Sequence, residues 1–144
     1  MSTPSREYNA ALSPDGRWLA YESDRSGQDE IYVSPFPDVT AWSRQVSNAG
    51  GSTPLWAPDG RELFYVSGDR LMGVPVQTVD EFSYESPAVV FDEAYYFGNY
   101  HRNYDIGSDG RFLMIKDVGQ ATTPAQIVVV ENWTRELLER VPVN

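Results

Sequence analysis

Residues 13–23 read Ser-Pro-Asp-Gly-Arg-Trp-Leu-Ala-Tyr-Glu-Ser. Pro14-Asp15-Gly16 is the chemistry of a tight turn: proline presets φ, the aspartate bonds its own backbone, and glycine accepts a positive φ. The run that follows, Trp18-Leu19-Ala20-Tyr21, is apolar or aromatic at every position. A strand with one wet face would alternate apolar and polar residues. This strand is therefore expected to be buried on both faces, and the turn beside it predicts a β-hairpin.

The stretch recurs twice, and the three copies align without gaps. Ala57–Ser67 reads APDGRELFYVS and Gly107–Asp117 reads GSDGRFLMIKD, with Leu63–Val66 and Phe112–Ile115 as the apolar runs. Asp15-Gly16, Asp59-Gly60 and Asp109-Gly110 are thus structural turns, their aspartates 44 and 50 residues apart. A repeat of roughly 40–50 residues is the period of a four-stranded propeller blade, and the longer spacing leaves room for a loop insertion. Strands are expected near 8–12, 17–22, 30–34 and 43–47, then 53–56, 62–67, 71–77 and 88–91, then 103–106, 111–116 and 126–131. Where a last strand is due, 132–140 reads as a short helix, with Asn132 as cap, Leu137, Leu138 and Val141 as apolar stripe, and Pro142 as stop. The expected fold class is all-β: three four-stranded β-propeller blades, about 8–47, 53–91 and 103–131, with a short C-terminal helix, in one domain spanning 1–144.

Composition narrows the function. The apolar content of 41% and aromatic content of 13% in 144 residues suffice for one core. Mean hydropathy is −0.44, and no long apolar run is present, so a membrane span is not expected. Residues 1–8 lack the apolar core of a secretory signal. A soluble protein of the cytoplasm or periplasm fits. With no cysteine there is no disulfide, thiolate metal site or cysteine nucleophile. The formal charge of −10, with eleven scattered basic residues, argues against nucleic acid.

With the repeats established, the segments SPDGRWLAYES and DEIYVSPFP resemble the WD40-like PD40 repeat of TolB-type six-bladed β-propellers. The stretches GRELFYVSGDRLMGVPVQT and QIVVVENWTRELLERVP are similar to propeller regions C-terminal to some bacterial serine/threonine kinases. The likeness runs from about Ala10 to Pro142. It implies half of a six-bladed ring and a turn-making, not catalytic, role for the Asp-Gly positions. Three departures stand out. The third copy lacks proline, the Trp-Asp pair of true WD40 repeats is missing, and no kinase motif occurs.

Propellers close with roughly four to eight blades, so three make an open wedge whose end faces are apolar. Either a longer propeller supplies the missing half, or two chains close a 3+3 homodimer; Met1 and the whole number of blades favour the dimer. The only histidine, His101, lies in an aromatic stretch with Tyr95, Tyr96, Phe97, Tyr100 and Arg102. In propeller order that segment joins one blade to the next and clusters with Asp24–Gln28 and Gly68–Arg70 at one channel mouth. Tyr95, Tyr96, Tyr100, His101, Arg102, Asp24 and Arg25 are the candidate ligand-binding residues, suited to a protein segment or small molecule held by stacking and hydrogen bonds. No serine sits in a nucleophile elbow. The adjacent acids Asp29-Glu30, Asp80-Glu81 and Asp92-Glu93 point to opposite faces if extended. No catalytic residue, metal ligand or cofactor is therefore assigned. The expected function is a non-catalytic binding module, the alternative a lactonase- or glycosidase-like propeller hydrolase.

Overall fold

The computed structural model describes residues 5–92, 95–98 and 101–116 and the backbone of 127–130. The expected helix 132–140, with Trp133, lies outside the described residues.

The described chain is a succession of antiparallel meanders. The first blade is β1 (Glu7–Leu12), β2 (Trp18–Ser23), β3 (Glu30–Pro35) and β4 (Arg44–Gln45), paired in that order. The second is β5 (Ser52–Trp56), β6 (Glu62–Ser67), β7 (Arg70–Gln77), the two-residue β8 (Ser83–Tyr84) and β9 (Ala88–Phe91), with both β8 and β9 on β7. β8 was not expected from the sequence. The third is β10 (Asp105–Ile106), β11 (Phe112–Ile115) and β12 (Ile127–Val130).

All three Asp-Gly turns form as the residues dictate. Gly16, Gly60 and Gly110 have φ of 72, 71 and 77°. Their amides donate to the carbonyls of Ser13, Ala57 and Gly107, each at 2.9 Å. Asp15, Asp59 and Asp109 accept from the backbone N–H two residues on. The third turn keeps this geometry without its proline. Burial acts upward on the Asp15 carboxyl, but the Ser13 hydroxyl and the Arg17 N–H and guanidinium outweigh it and hold it below the usual range. The Arg111 N–H and guanidinium do the same for Asp109.

Strand parity distributes the core. On β2, Trp18 and Ala20 face the second blade; on β6, Leu63 and Tyr65 face back toward the first, and all four share one apolar cluster with Ile31, Val33 and Trp56. Phe64 and Val66 point the other way and pack with Phe112 and Met114 of β11. The middle blade is thus apolar on both faces, as its uninterrupted run requires. In the third blade Leu113 and Ile115, 47% and 45% exposed, face outward.

The third copy is not in register with the other two. Ser13 N–H reaches Trp18 O and Ala57 N–H reaches Glu62 O, but Gly107 N–H reaches Arg111 O, one residue sooner. Ile106 accordingly pairs with Phe112, where Leu12 pairs with Leu19 and Trp56 with Leu63. A one-residue shift exchanges the faces of a strand. Phe112 therefore takes the place of Leu63, not of Glu62 as the gapless alignment would have it.

A segment beyond β7 clasps the first blade. Phe82 enters among Trp18, Trp42 and Trp56 at centroid distances of 5.5, 6.3 and 6.4 Å. Around it, the Arg17 guanidinium donates to the Thr78 and Val79 carbonyls, Trp18 Nε1 to Thr78 O, and Tyr84 OH to Gln45 O.

Candidate ligand-binding cleft

Alternation of strand direction puts the β2–β3, β4–β5, β6–β7 and β9–β10 connections at one end of the meanders. They enclose a cleft of about 350 Å³. Gln28 and Asp29 come from the first connection, Gly50 and Gly51 from the second, Gly68 from the third, and Phe97 and Gly98 from the fourth; Glu22, Ser52 and Val66 form the floor. Of the three segments expected to cluster, Gln28, Gly68, and Phe97 with Gly98 line this cleft. Glycine supplies four of the ten lining residues, so much of the wall is bare backbone. Gly51 is there by necessity, because a Cβ would stand 2.7 Å from Ser47 Oγ and 2.8 Å from Ile31 Cγ1.

The floor is organised by two backbone bulges. Asn9 in β1 and Thr53 in β5 have φ of 52 and 50°, and the strand pairing shifts at both. Buried Glu22 accepts from both: Asn9 Nδ2 donates to its Oε2 at 2.9 Å and Thr53 N–H at 3.1 Å. One carboxylate thus ties the inner strands of two blades together. Glu30, also buried, accepts from the Ser47 hydroxyl and from Gly50 N–H, fixing the second connection. Asp29, its neighbour in sequence, turns the other way to accept from Tyr8 OH at 2.7 Å. That bond, ahead of desolvation, pushes the Tyr8 hydroxyl well above its ordinary value. Tyr104 closes the next seam, donating to Thr53 O at 2.7 Å, and burial raises its hydroxyl strongly.

The candidate binding residues divide. Tyr95 is half-buried in the seam between the second and third blades, edge-on to Phe91 and bridged to Lys116. Tyr96 is exposed; its N–H donates to Ile115 O and its carbonyl accepts from Asn103 Nδ2. His101 and Arg102 are exposed beside the cleft, Arg102 lying 4.0 Å from Asp105. Tyr100 lies outside the described residues. Asp24 is held by Arg6, whose N–H and guanidinium keep its carboxyl below the usual range. Arg25 turns onto the back of the first blade, its guanidinium carbon 3.5 Å from the centroid of Tyr32, and does not line the cleft. Glu22, Asn9 and Thr53 were not singled out from sequence. The bulges break the pairing without breaking the apolar pattern, and leave no local signature.

Residues 8–97, more than half of the chain, match the prolyl oligopeptidase N-terminal β-propeller domain. No curated protein matches. Among solved structures, a puromycin-hydrolyzing peptidase of Mycobacterium tuberculosis superposes with a TM-score of 0.66 at 20% identity, covering 90% of this chain and 21% of that one. An oligogalacturonate lyase of Vibrio parahaemolyticus superposes with a TM-score of 0.53 at 21% identity, covering 73% of this chain and 27% of that one. The chain thus spans about a quarter or less of each. At such identities the likeness is one of fold, and the fold in common agrees with the blades described above. The chain belongs to the prolyl oligopeptidase N-terminal β-propeller domain family.

Proposed function

We propose that this propeller segment is a non-catalytic binding module, half of a six-bladed ring of the TolB type built from PD40 repeats, in which a second copy supplies the other half. The cleft at the channel mouth receives an extended peptide or a small ligand.

The observation that carries this reading is the use to which the cleft's acids are put. Glu22 holds Asn9 and Thr53, Asp29 holds Tyr8, and Glu30 holds Ser47 and Gly50. Both acids that line the cleft, Glu22 and Asp29, serve the scaffold, and a general acid or base must instead be within reach of a substrate proton. What the cleft offers a ligand is backbone at Gly68 and Gly98 and the ring of Phe97; the Gly50 N–H and the Gln28 amide already donate to Glu30, and the Gly51 N–H to the Asp29 carbonyl. Backbone N–H and C=O groups beside an aromatic face suit main-chain recognition of a peptide.

The competing reading is a propeller hydrolase acting through His101. The purified chain is expected to leave 4-nitrophenyl acetate, 4-nitrophenyl glycosides and aminoacyl 4-nitroanilides untouched. It is also expected to bind a fluorescein-labelled pool of random hexapeptides saturably, and Ser52→Trp, which fills the cleft floor, to abolish that binding. Turnover that disappears in His101→Ala would replace the binding module with an enzyme. Peptide binding unaffected by Ser52→Trp would move the ligand site elsewhere.

A further inference from the structure

The cleft at the channel mouth carries negative charge that the described chain does not neutralise. Glu22 and Asp29 both line it, and no lysine, arginine or histidine does. Among the described residues, ion pairs join Arg6 to Asp24, Arg17 to Asp15, Arg102 to Asp105 and Arg111 to Asp109. Neither cleft acid is among them. Arg25, in the same connection as Asp29, lies over the Tyr32 ring instead. Glu22 is only 3% exposed, and a charge so buried is ordinarily paired.

One oxygen of each carboxylate is committed to the scaffold. Glu22 accepts from Asn9 and Thr53 through Oε2, and Asp29 accepts from Tyr8 through Oδ1. The Tyr8 hydroxyl, which both Asp29 and Glu22 raise, has a single proton and gives it to Asp29 at 2.7 Å. Glu22 Oε1 and Asp29 Oδ2 accept no hydrogen bond among the described residues. Among those residues no side-chain oxygen sealed from solvent lacks a partner. Glu22 Oε1 is therefore not sealed, although its residue is buried, and the cleft that Glu22 lines is where it opens.

We infer that the cleft takes a singly charged organic cation, the ammonium or guanidinium group of a bound peptide, on Glu22 Oε1 and Asp29 Oδ2. This assignment rests on the peptide cleft proposed above and names the charge of its ligand. Charged N–H donors on carboxylate oxygens make the stronger kind of hydrogen bond, and the Phe97 ring in the same cleft adds attraction for a cation. Two free carboxylate oxygens fall short of the about six to eight oxygens that calcium takes, and among the described residues no three acidic or imidazole side chains converge as a metal site. The ligand's charge is held, not transferred, so the acids keep their scaffold role. Both acids and the ring belong to strands and connections within the described blades, so the site does not depend on where the chain begins or stops.

The test is fluorescence anisotropy of the full chain with alanine-rich hexapeptides carrying an uncharged dye at the C-terminus. Three are acetylated and differ only in a central lysine, norleucine or glutamate; norleucine has nearly the lysine shape without its charge. A fourth has norleucine and a free N-terminus. A cationic peptide, by lysine or by free N-terminus, should bind about tenfold or more tightly than acetylated norleucine, and glutamate should bind weakest. Whichever of the two cations carries the preference identifies the source of the group. Glu22→Gln and Asp29→Asn keep an acceptor oxygen for the scaffold and remove one charge each. Each should bring the cationic peptide to within about threefold of norleucine and leave norleucine itself unchanged, an outcome that mere loosening of the cleft would not give. Asp29→Asn, at a half-buried loop position, carries the test if Glu22→Gln does not fold by circular dichroism. Equal binding of all four peptides would overturn the cation and leave the peptide cleft standing. A preference that survives in Asp29→Asn and in folded Glu22→Gln would overturn the assignment to these acids. Displacement of the lysine peptide by micromolar calcium would replace the organic cation with a metal. Saturable binding of none of the peptides would remove the cleft reading, and this inference with it.

Discussion

Replacing Phe82 with alanine removes the ring on which the clasp between the first two blades depends. Phe82 is 1% exposed and contacts Trp18, Trp42, Trp56 and Tyr84, with centroids 5.5 to 6.4 Å away. Deleting a buried phenylalanine destabilises by about 3–5 kcal/mol, made up of lost transfer energy and a residual cavity. Part of that reflects ring pairing worth about 0.5–1.5 kcal/mol per pair, not additively. Phe82→Leu keeps much of the volume and should lose only about 1–2 kcal/mol. Three of the four tryptophans touch this ring, so urea unfolding followed by tryptophan fluorescence reads both the stability and the local packing. Val79→Ala is the control: Val79 is 75% exposed, and such surface changes stay within about 0.5 kcal/mol. A loss of less than about 1 kcal/mol in Phe82→Ala, or a native emission matching that of the parent, would contradict this packing role for Phe82.

Gly51→Ala, forced against Ser47 and Ile31, should lower stability by about 1–3 kcal/mol through overpacking, seen as a drop in Tm. Gly110→Ala, by contrast, meets open space at φ 77° and should lose only about 1–2 kcal/mol of backbone strain. Glu22→Ala leaves Thr53 N–H buried without its acceptor, a loss of about 1–3 kcal/mol measurable as a lower urea midpoint with unchanged slope. Asp15, Asp24 and Asp109 are held below their ordinary value of 3.8. Carboxyls depressed in the folded state contribute stability above the unfolded value that is lost as pH falls through the folded one. The urea midpoint should therefore be level from neutral pH downward and decline below about pH 4. Burial pushes the Tyr65 hydroxyl up to about 12 from 10.0. A raised group contributes stability that is present below pH 10 and is lost as pH rises toward the folded value, a loss that Tyr65→Phe should reduce.

Much of the fold was legible because its determinants are local. The Asp-Gly turns depend on three consecutive residues and formed in all three copies, with proline or without. The middle strand, Leu63–Val66, is apolar at every position and is buried on both faces as that pattern requires. Phe82 was not legible: it follows β7 in a stretch with no period, and its importance comes from Trp18 and Trp42 of the first blade and Trp56 of the second. The register of the third copy was obscured by its own Asp-Gly pair, which aligns perfectly while the cross-strand pairing after it begins one residue sooner. In the cleft, alternation of strand direction decides the end at which each connection lies, and it brings Gln28, Gly68 and Phe97 to one end. The side chains were harder. Arg25 sits in a mouth loop yet turns back onto Tyr32, and Glu22 looks like a strand residue of no consequence until Thr53, 31 positions away, is brought to it.

The central claim is a ring completed by a second copy, and its most direct test is the mass of the chain in solution by size exclusion coupled to light scattering. The expected species has twice the 16.2 kDa of one chain and is stable to dilution. A clean 16.2 kDa monomer of the parent chain would contradict it.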